Sequence, residues 1–211
     1  MRNLYQQKLA LASLPAIILA AGLFLLTFQL GKQPLFLLLN QDLGSAADHF
    51  FRYFTEAGNG AMWVVVLGVV LFVLKRKDAV WLIVAGFAIS TLLTQSMKHL
   101  VFPGEFRPAR AIADLSQVHV VPGVELHTVD SFPSGHTATA FTIYLLLCLL
   151  IPGRWWLLAG GIYASLVAYS RVYLAQHFPV DLAGGILIGV ASAWLSLGFQ
   201  RAVWKRNSNN S

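Results

Sequence analysis

Two short stretches of this chain bring together residue types that an apolar helix would avoid and that chemistry needs. The first is Pro133-Ser134-Gly135-His136, ahead of the apolar run ATAFTIYLLLCLLI, and the second is SRVYLAQHFPVD, Ser170 to Asp181. A serine before an apolar run is a good helix cap, so Ser134 is expected as N-cap, with Gly135 and His136 in the first turn. A helix start presents unpaired N–H groups and the positive end of the dipole, and glycine lets an anion come close to the backbone. Pro179 suits the first position of the next helix, which sets Asp181 in the first turn and His177 just outside it. A carboxylate so placed accepts a hydrogen bond from the imidazole, fixes its tautomer and leaves the other nitrogen free to attack.

Cations stand near both stretches. Lys98, Arg107 and Arg171 fall at or just beyond the ends of apolar segments, and the six histidines, at 49, 99, 119, 127, 136 and 177, fall at segment ends or in the longer loops. Ionisable groups converging in this way form a functional site by default in a membrane protein. Two imidazoles and a carboxylate can also ligate zinc or iron. Three neighbouring cations repel a metal ion and suit a phosphate, whose oxygens match the arginine fork. The expectation is therefore an anion site that uses no metal and no cofactor.

The elements that must position these residues are greasy. Of 211 residues 57% are hydrophobic and 11% charged, outside the range of ordinary soluble domains. With roughly 20 apolar residues needed per helical span, six spans are expected, at 9–30, 58–74, 79–100, 135–151, 155–173 and 179–199. The fold class is thus all-α: a polytopic six-transmembrane-helix bundle with extracytoplasmic loops, forming one domain over 1–206, with the polar tail 207–211 disordered. The first span is too long for a secretory signal and is read as a helix.

Six spans put Arg2, Lys8, Lys75, Arg76, Lys77, Arg154, Arg201, Lys205 and Arg206 on one side, nine of the fifteen Lys and Arg. The positive-inside bias makes that side, with both termini, cytoplasmic. The basic residues do not form a face interleaved with aromatics, so the net charge of +6 does not point to nucleic acid. ADHFFRYFTEAGNG reads as a short amphipathic helix at the interface. The loop from about 101 to 134 reads as a lid, and in it VHVVPGVELHTV alternates about Pro122-Gly123 like a small hairpin. Gly184, Gly185 and Gly189 give the last span a small-residue surface for close helix packing, and Cys148 reads as a core or lipid-facing hydrophobe.

Taken in order, Lys98 with Arg107-Pro108, then Pro133-Ser134-Gly135-His136, then Ser170-Arg171 with His177 and Asp181, resemble the three-part signature of the type-2 phosphatidic acid phosphatase superfamily. That superfamily includes bacterial lipid phosphatases and vanadium-dependent haloperoxidases. The interval between Lys98 and Arg107, with Pro103-Gly104 inside it, is longer than the family's usual one, and both residues are retained. The resemblance implies a membrane phosphatase in which His177 attacks phosphorus, Asp181 orients it and His136 protonates the leaving oxygen. Lys98, Arg107, Ser134, Gly135 and Arg171 would hold the phosphate. It further implies a lipid substrate met in the bilayer at the outer face of the cytoplasmic membrane: undecaprenyl pyrophosphate, phosphatidylglycerol phosphate, phosphatidic acid or lipid A. Two other readings of the same residues are a non-catalytic anion carrier, which leaves the histidines unused, and a haloperoxidase, against which the six spans count.

Overall fold

The computed structural model describes the backbone of residues 2–209 and the side chains of residues 4–203. Helix α1 (Arg2–Leu30) is followed by a short α2 (Lys32–Leu39) and by α3 (Ser45–Phe54), which runs into a 3₁₀ turn, Thr55–Gly58. Helix α4 (Met62–Gly68) continues as a π turn to Val73, and α5 (Val80–Ser96) ends in a second π turn, Met97–Val101. A long loop carrying the one-turn α6 (Pro108–Ala111) leads to α7 (Gly135–Leu150), α8 (Trp155–Tyr173) and α9 (Pro179–Asn209). No strand occurs among the described residues. Helix α9 runs three residues into the tail expected to be disordered, and residues 210–211 lie outside the described ones.

Among the described residues three helices are long and apolar enough to cross a membrane: Leu4–Leu30, Lys77–Val101 and Pro179–Val203. A fourth is reached if Ser45–Gly58 and Met62–Val73, bent by 67° at their junction, count as one span. The remaining expected segments fall short for physical reasons. The 58–74 segment starts late because the end of the 3₁₀ turn at Gly58 and the turn at 59–61 take its first residues. Helix α7 has 16 residues, about 24 Å at the usual rise, and α8 mixes Ser165, Ser170 and Arg171 into its apolar sequence. The outer surface is nevertheless apolar. Phe28, Val64, Phe72, Leu92 and Leu158 stand exposed on α1, α4, α5 and α8, a belt suited to hydrocarbon with the backbone bonded inside helices.

Helix α7 is the core. Nearly every side chain from Thr137 to Leu150 is buried, Cys148 included, and α9, α8, α5 and α1 surround it. The contact with α9 is close because α9 turns glycines toward it. A Cβ on Gly184 would lie 2.6 Å from the Phe132 ring, one on Gly185 2.6 Å from the Ser134 carbonyl oxygen, and one on Gly189 2.7 Å from Phe141 Cβ. These contacts seat the first two turns of α7 against α9 from Gly184 to Gly189. At the opposite end of the bundle, Arg76 reaches Tyr5 at 3.3 Å and Gln200 donates to the Asp78 carbonyl at 2.6 Å. The start of α1, the 75–78 turn and the end of α9 therefore share one end.

The expected hairpin is not formed. Pro122-Gly123 does make a turn, with Gly123 at φ 77 and Val124 N–H on the Val121 carbonyl at 3.2 Å, the positive φ that glycine alone accepts freely. Its arms bond elsewhere instead of to each other. His119 N–H donates to Asn40 Oδ1 at 2.8 Å, Arg107 N–H to the Thr128 carbonyl at 3.0 Å, and Gln176 Nε2 to the Glu125 carbonyl at 2.9 Å. Backbone groups satisfied in this way have no ladder left to make.

The glycine contact leads to a prediction. Gly185→Ala is expected to lower stability by about 1–3 kcal/mol, the usual cost of overpacking, and to depress activity by moving the α7 start. Gly198→Ala, where a Cβ meets nothing within 4 Å, should do neither. Thermal unfolding of the purified variants in detergent checks both.

Candidate active site

The two helix starts form as their sequences require. Ser134 caps α7, its Oγ accepting the Thr137 N–H at 3.4 Å and the Thr137 hydroxyl at 3.0 Å. The cap leaves the Gly135 and His136 amides without an intrahelical acceptor. Helix α9 begins at Pro179, and Asp181 lies in its first turn with its side chain buried. The two starts are tied directly, since Ser134 N–H donates to the Asp181 carbonyl at 3.0 Å.

Asp181 Oδ2 is a hub. It accepts from the Ser131 hydroxyl at 2.5 Å and the Phe178 N–H at 2.9 Å, and it faces His177 Nδ1 at 3.4 Å. The Ser131 backbone gives the same imidazole a second partner. The carboxylate facing Nδ1 favours a proton there and leaves Nε2 with a free lone pair. Ser131 is a residue of this cluster that the sequence did not single out. It lies within the DSFPSGHT stretch, but its partner is fifty residues away, and no local spacing signals that.

The three cations are held in an unusual way. Lys98 Nζ donates to the Asp130 carbonyl. Arg107 uses Nε on the Val129 carbonyl at 2.8 Å, Nη1 on the Gln176 carbonyl at 3.2 Å and Nη2 on the Asp130 carbonyl at 3.4 Å. Arg171 uses Nη1 on Thr55 Oγ1 at 2.7 Å. Among the described residues none of the three makes an ion pair, although Lys98 and Arg171 are each only 7% exposed. Buried cations satisfied by carbonyls and a hydroxyl instead of carboxylates carry an uncompensated positive charge, and a phosphate supplies what is missing. The π turn at Met97–Val101 takes an extra residue into the end of α5, and with it the longer interval still brings Lys98 beside Arg107.

All three cations act electrostatically on both His136 and His177. Burial in the first place, then the charges of Arg107, Arg171 and Lys98, hold His177 well below the usual imidazole range. Burial likewise pulls the Arg107 guanidinium down. His136 lines a cleft of about 350 Å³ together with Thr55, Glu56, Glu125, His127, Arg171 and Gln176. The structure thus gathers Lys98, Arg107, Ser134, Gly135, His136, Arg171, His177 and Asp181 at one end of the bundle. Of the other histidines, His119 is bonded to Asp48 at 2.9 Å and His99 to Gln95 at 3.1 Å.

A buried imidazole backed by a carboxylate, a second imidazole on an open cleft and three cations with no carboxylate in ion-pair range among the described residues form a pocket that suits an anion, carried on an apolar helical bundle. The chain belongs to the PAP2 superfamily, whose family model matches residues 79–205. It is similar to an undecaprenyl-diphosphatase of Sulfolobus acidocaldarius, with 30% identity over 77% of this chain and 73% of the relative. It is also similar to a lipid A 4'-phosphatase of Bacteroides thetaiotaomicron, with 32% identity over 69% of this chain and 68% of the relative. Among solved structures, Aquifex aeolicus LpxE superposes with a TM-score of 0.66 at 32% identity, over 78% of this chain and 93% of that one. The PAP2-type phosphatidylglycerolphosphate phosphatase of Bacillus subtilis shares the fold, with a TM-score of 0.64 at 23% identity over 93% and 97%.

The depressed basicity of His177 has a definite sign. Unfolding exposes an imidazole that takes a proton near 6.5, whereas the folded site refuses it until far lower pH. The contribution of His177 to stability is therefore present above that value and lost as pH falls below it. From about pH 7 to about pH 5 the melting temperature should fall more steeply for the wild type than for His177→Asn. Over the same range His177 itself should impose no loss on kcat/KM.

Proposed function

We propose that this chain hydrolyses the phosphate monoester or pyrophosphate of a membrane lipid through a phosphohistidine, at the extracytoplasmic end of a six-helix bundle. Membership of the PAP2 superfamily, with lipid phosphatases among its similar relatives, makes the chain a membrane lipid phosphatase. The observation that carries the mechanism is the neutral His177–Asp181 pair set among three cations that lack carboxylate partners.

His177 Nε2 attacks phosphorus as the bond to the leaving oxygen breaks, and His136 delivers a proton to that oxygen. The free lipid alcohol, or the lipid monophosphate in the case of a pyrophosphate, departs. His136, now a base, takes a proton from water, whose oxygen attacks the phosphohistidine and releases inorganic phosphate and His177. Lys98, Arg107, Arg171, the Ser134 hydroxyl and the Gly135 amide hold the equatorial oxygens, where charge spreads in the transition state. No metal enters either step.

The six-span count is supported by the six apolar segments and by the shared end of the start of α1, the 75–78 turn and the end of α9. The charge asymmetry supports cytoplasmic termini in the inner membrane and an outward-facing site. The bilayer supplies the substrate, whose headgroup lies at the level of the helix starts while its chain stays in hydrocarbon. Undecaprenyl pyrophosphate, lipid A, phosphatidylglycerol phosphate and phosphatidic acid all share that design.

Phosphate release by purified protein from this panel of lipids, with and without chelator, is expected to persist in chelator; complete loss would remove the metal-free mechanism. His177→Ala should lower release by about 10⁴-fold or more, and acid-labile protein-bound phosphate should vanish with it. An anion carrier would instead keep its flux in that variant. A reporter fused after Ser211 is expected in the cytoplasm.

A further inference from the structure

The phosphate site has a wall that none of its sequence signatures contains. The 3₁₀ turn Thr55–Gly58 lies ahead of residue 79, where the superfamily match begins, yet it touches the site at two points. Thr55 Oγ1 accepts from Arg171 Nη1 at 2.7 Å. At the other end of the turn a Cβ on Gly58 would stand 2.5 Å from Val167 Cγ1, 3.0 Å from the His136 carbonyl oxygen and 3.1 Å from His136 Cβ, so the bare glycine lets the turn lie against α8 and that histidine together. The turn itself is clamped to α8, because Tyr163 OH donates to the Ala57 carbonyl at 2.7 Å and Phe51, at the end of α3, packs on Tyr169 and Tyr173 with centroids 5.3 and 4.7 Å away.

How the guanidinium of Arg171 is held decides what this wall does. Among the described residues the bond to Thr55 is its one protein hydrogen bond, and its Nε is buried with no partner. A site built merely to neutralise a buried arginine would satisfy it more fully. Tying Nη1 leaves Nε and Nη2 together, the edge of the fork that takes two oxygens of one phosphate side by side. Arg107 is the contrast: its Nε, Nη1 and Nη2 each meet a backbone carbonyl, which leaves it one further N–H on each Nη and no Nε for a side-on grip. Thr55 and Arg171 also line the same cleft as His136.

We propose that Thr55 is a positioning residue that holds the Arg171 guanidinium so that its Nε/Nη2 edge grips the transferring phosphoryl group. Thr55 acts through Arg171 and does not itself meet the substrate. The inference rests on the phosphatase reading, and its test separates the two.

The experiment compares Thr55→Val, which keeps the shape and removes the hydroxyl, with Thr55→Ser, which keeps the hydroxyl, each alone and combined with Arg171→Ala. Measured are kcat and KM for phosphate release from the best lipid of the panel, inhibition by vanadate, and thermal unfolding. Losing a hydrogen bond to a charged group should lower kcat about ten- to a hundredfold in Thr55→Val, with KM nearly unchanged and vanadate inhibition weakened by a similar factor. Thr55→Ser should stay close to the wild type, and in the Arg171→Ala background Thr55→Val should add little further loss. If Thr55→Val does not fold, Thr55→Ala takes its place with the same expectations. Wild-type kcat in Thr55→Val, equal losses in the Ser and Val variants, or losses that multiply with Arg171→Ala would each overturn the proposal. A wild-type protein that released no phosphate from any lipid and bound no vanadate would overturn the phosphatase reading instead.

Discussion

The site depends on cations that the protein does not neutralise. Lys98, Arg107 and Arg171 sit close enough to feel one another, and among the described residues each is held by carbonyls or a hydroxyl with no carboxylate in ion-pair range. Such an arrangement is costly in an empty site, because like charges repel and burial strips their water. Backbone carbonyls offset part of that cost and fix each group in place without cancelling its charge. The remaining positive charge has the sign that a phosphate would balance, and in the proposed reaction it gains value as charge spreads over the equatorial oxygens during transfer.

The same positive field bears on the nucleophile proposed above. Burial and the three cations keep His177 unprotonated, so its lone pair is available without a separate base to remove a proton. Asp181 is held by Ser131 and Phe178 independently of the imidazole, and it orients the ring from a position that those two bonds determine. None of this geometry survives unless α7 and α9 approach closely. The bare backbone at Gly184, Gly185 and Gly189 is therefore as much a part of the site as the residues proposed to touch phosphate.

Parts of the fold were legible in order of how local their physics is. The Ser134 cap and the Pro179 start follow from side chains within four residues of the helix ends, and both formed where the sequence pointed. The alternation about Pro122-Gly123 was a local signal too. It named the turn and missed the pairing, because Asn40 and Gln176 took backbone groups of the arms that a ladder would have used. Span lengths were less legible. A hydropathy pattern does not mark where a 3₁₀ turn will interrupt a segment, as it does ahead of Met62.

What the sequence by itself determined is the chemistry: which side chains could attack, donate a proton or bind an anion, and that apolar helices must carry them. Those properties belong to residue types and to spacings of a few positions. The tertiary structure decided the company each one keeps. Ser131 meets Asp181 across fifty positions and Thr55 meets Arg171 across more than a hundred, and neither partnership leaves a periodic trace in the chain. Their reason is helix packing, which sets distances between residues whose separation in sequence carries no information about them.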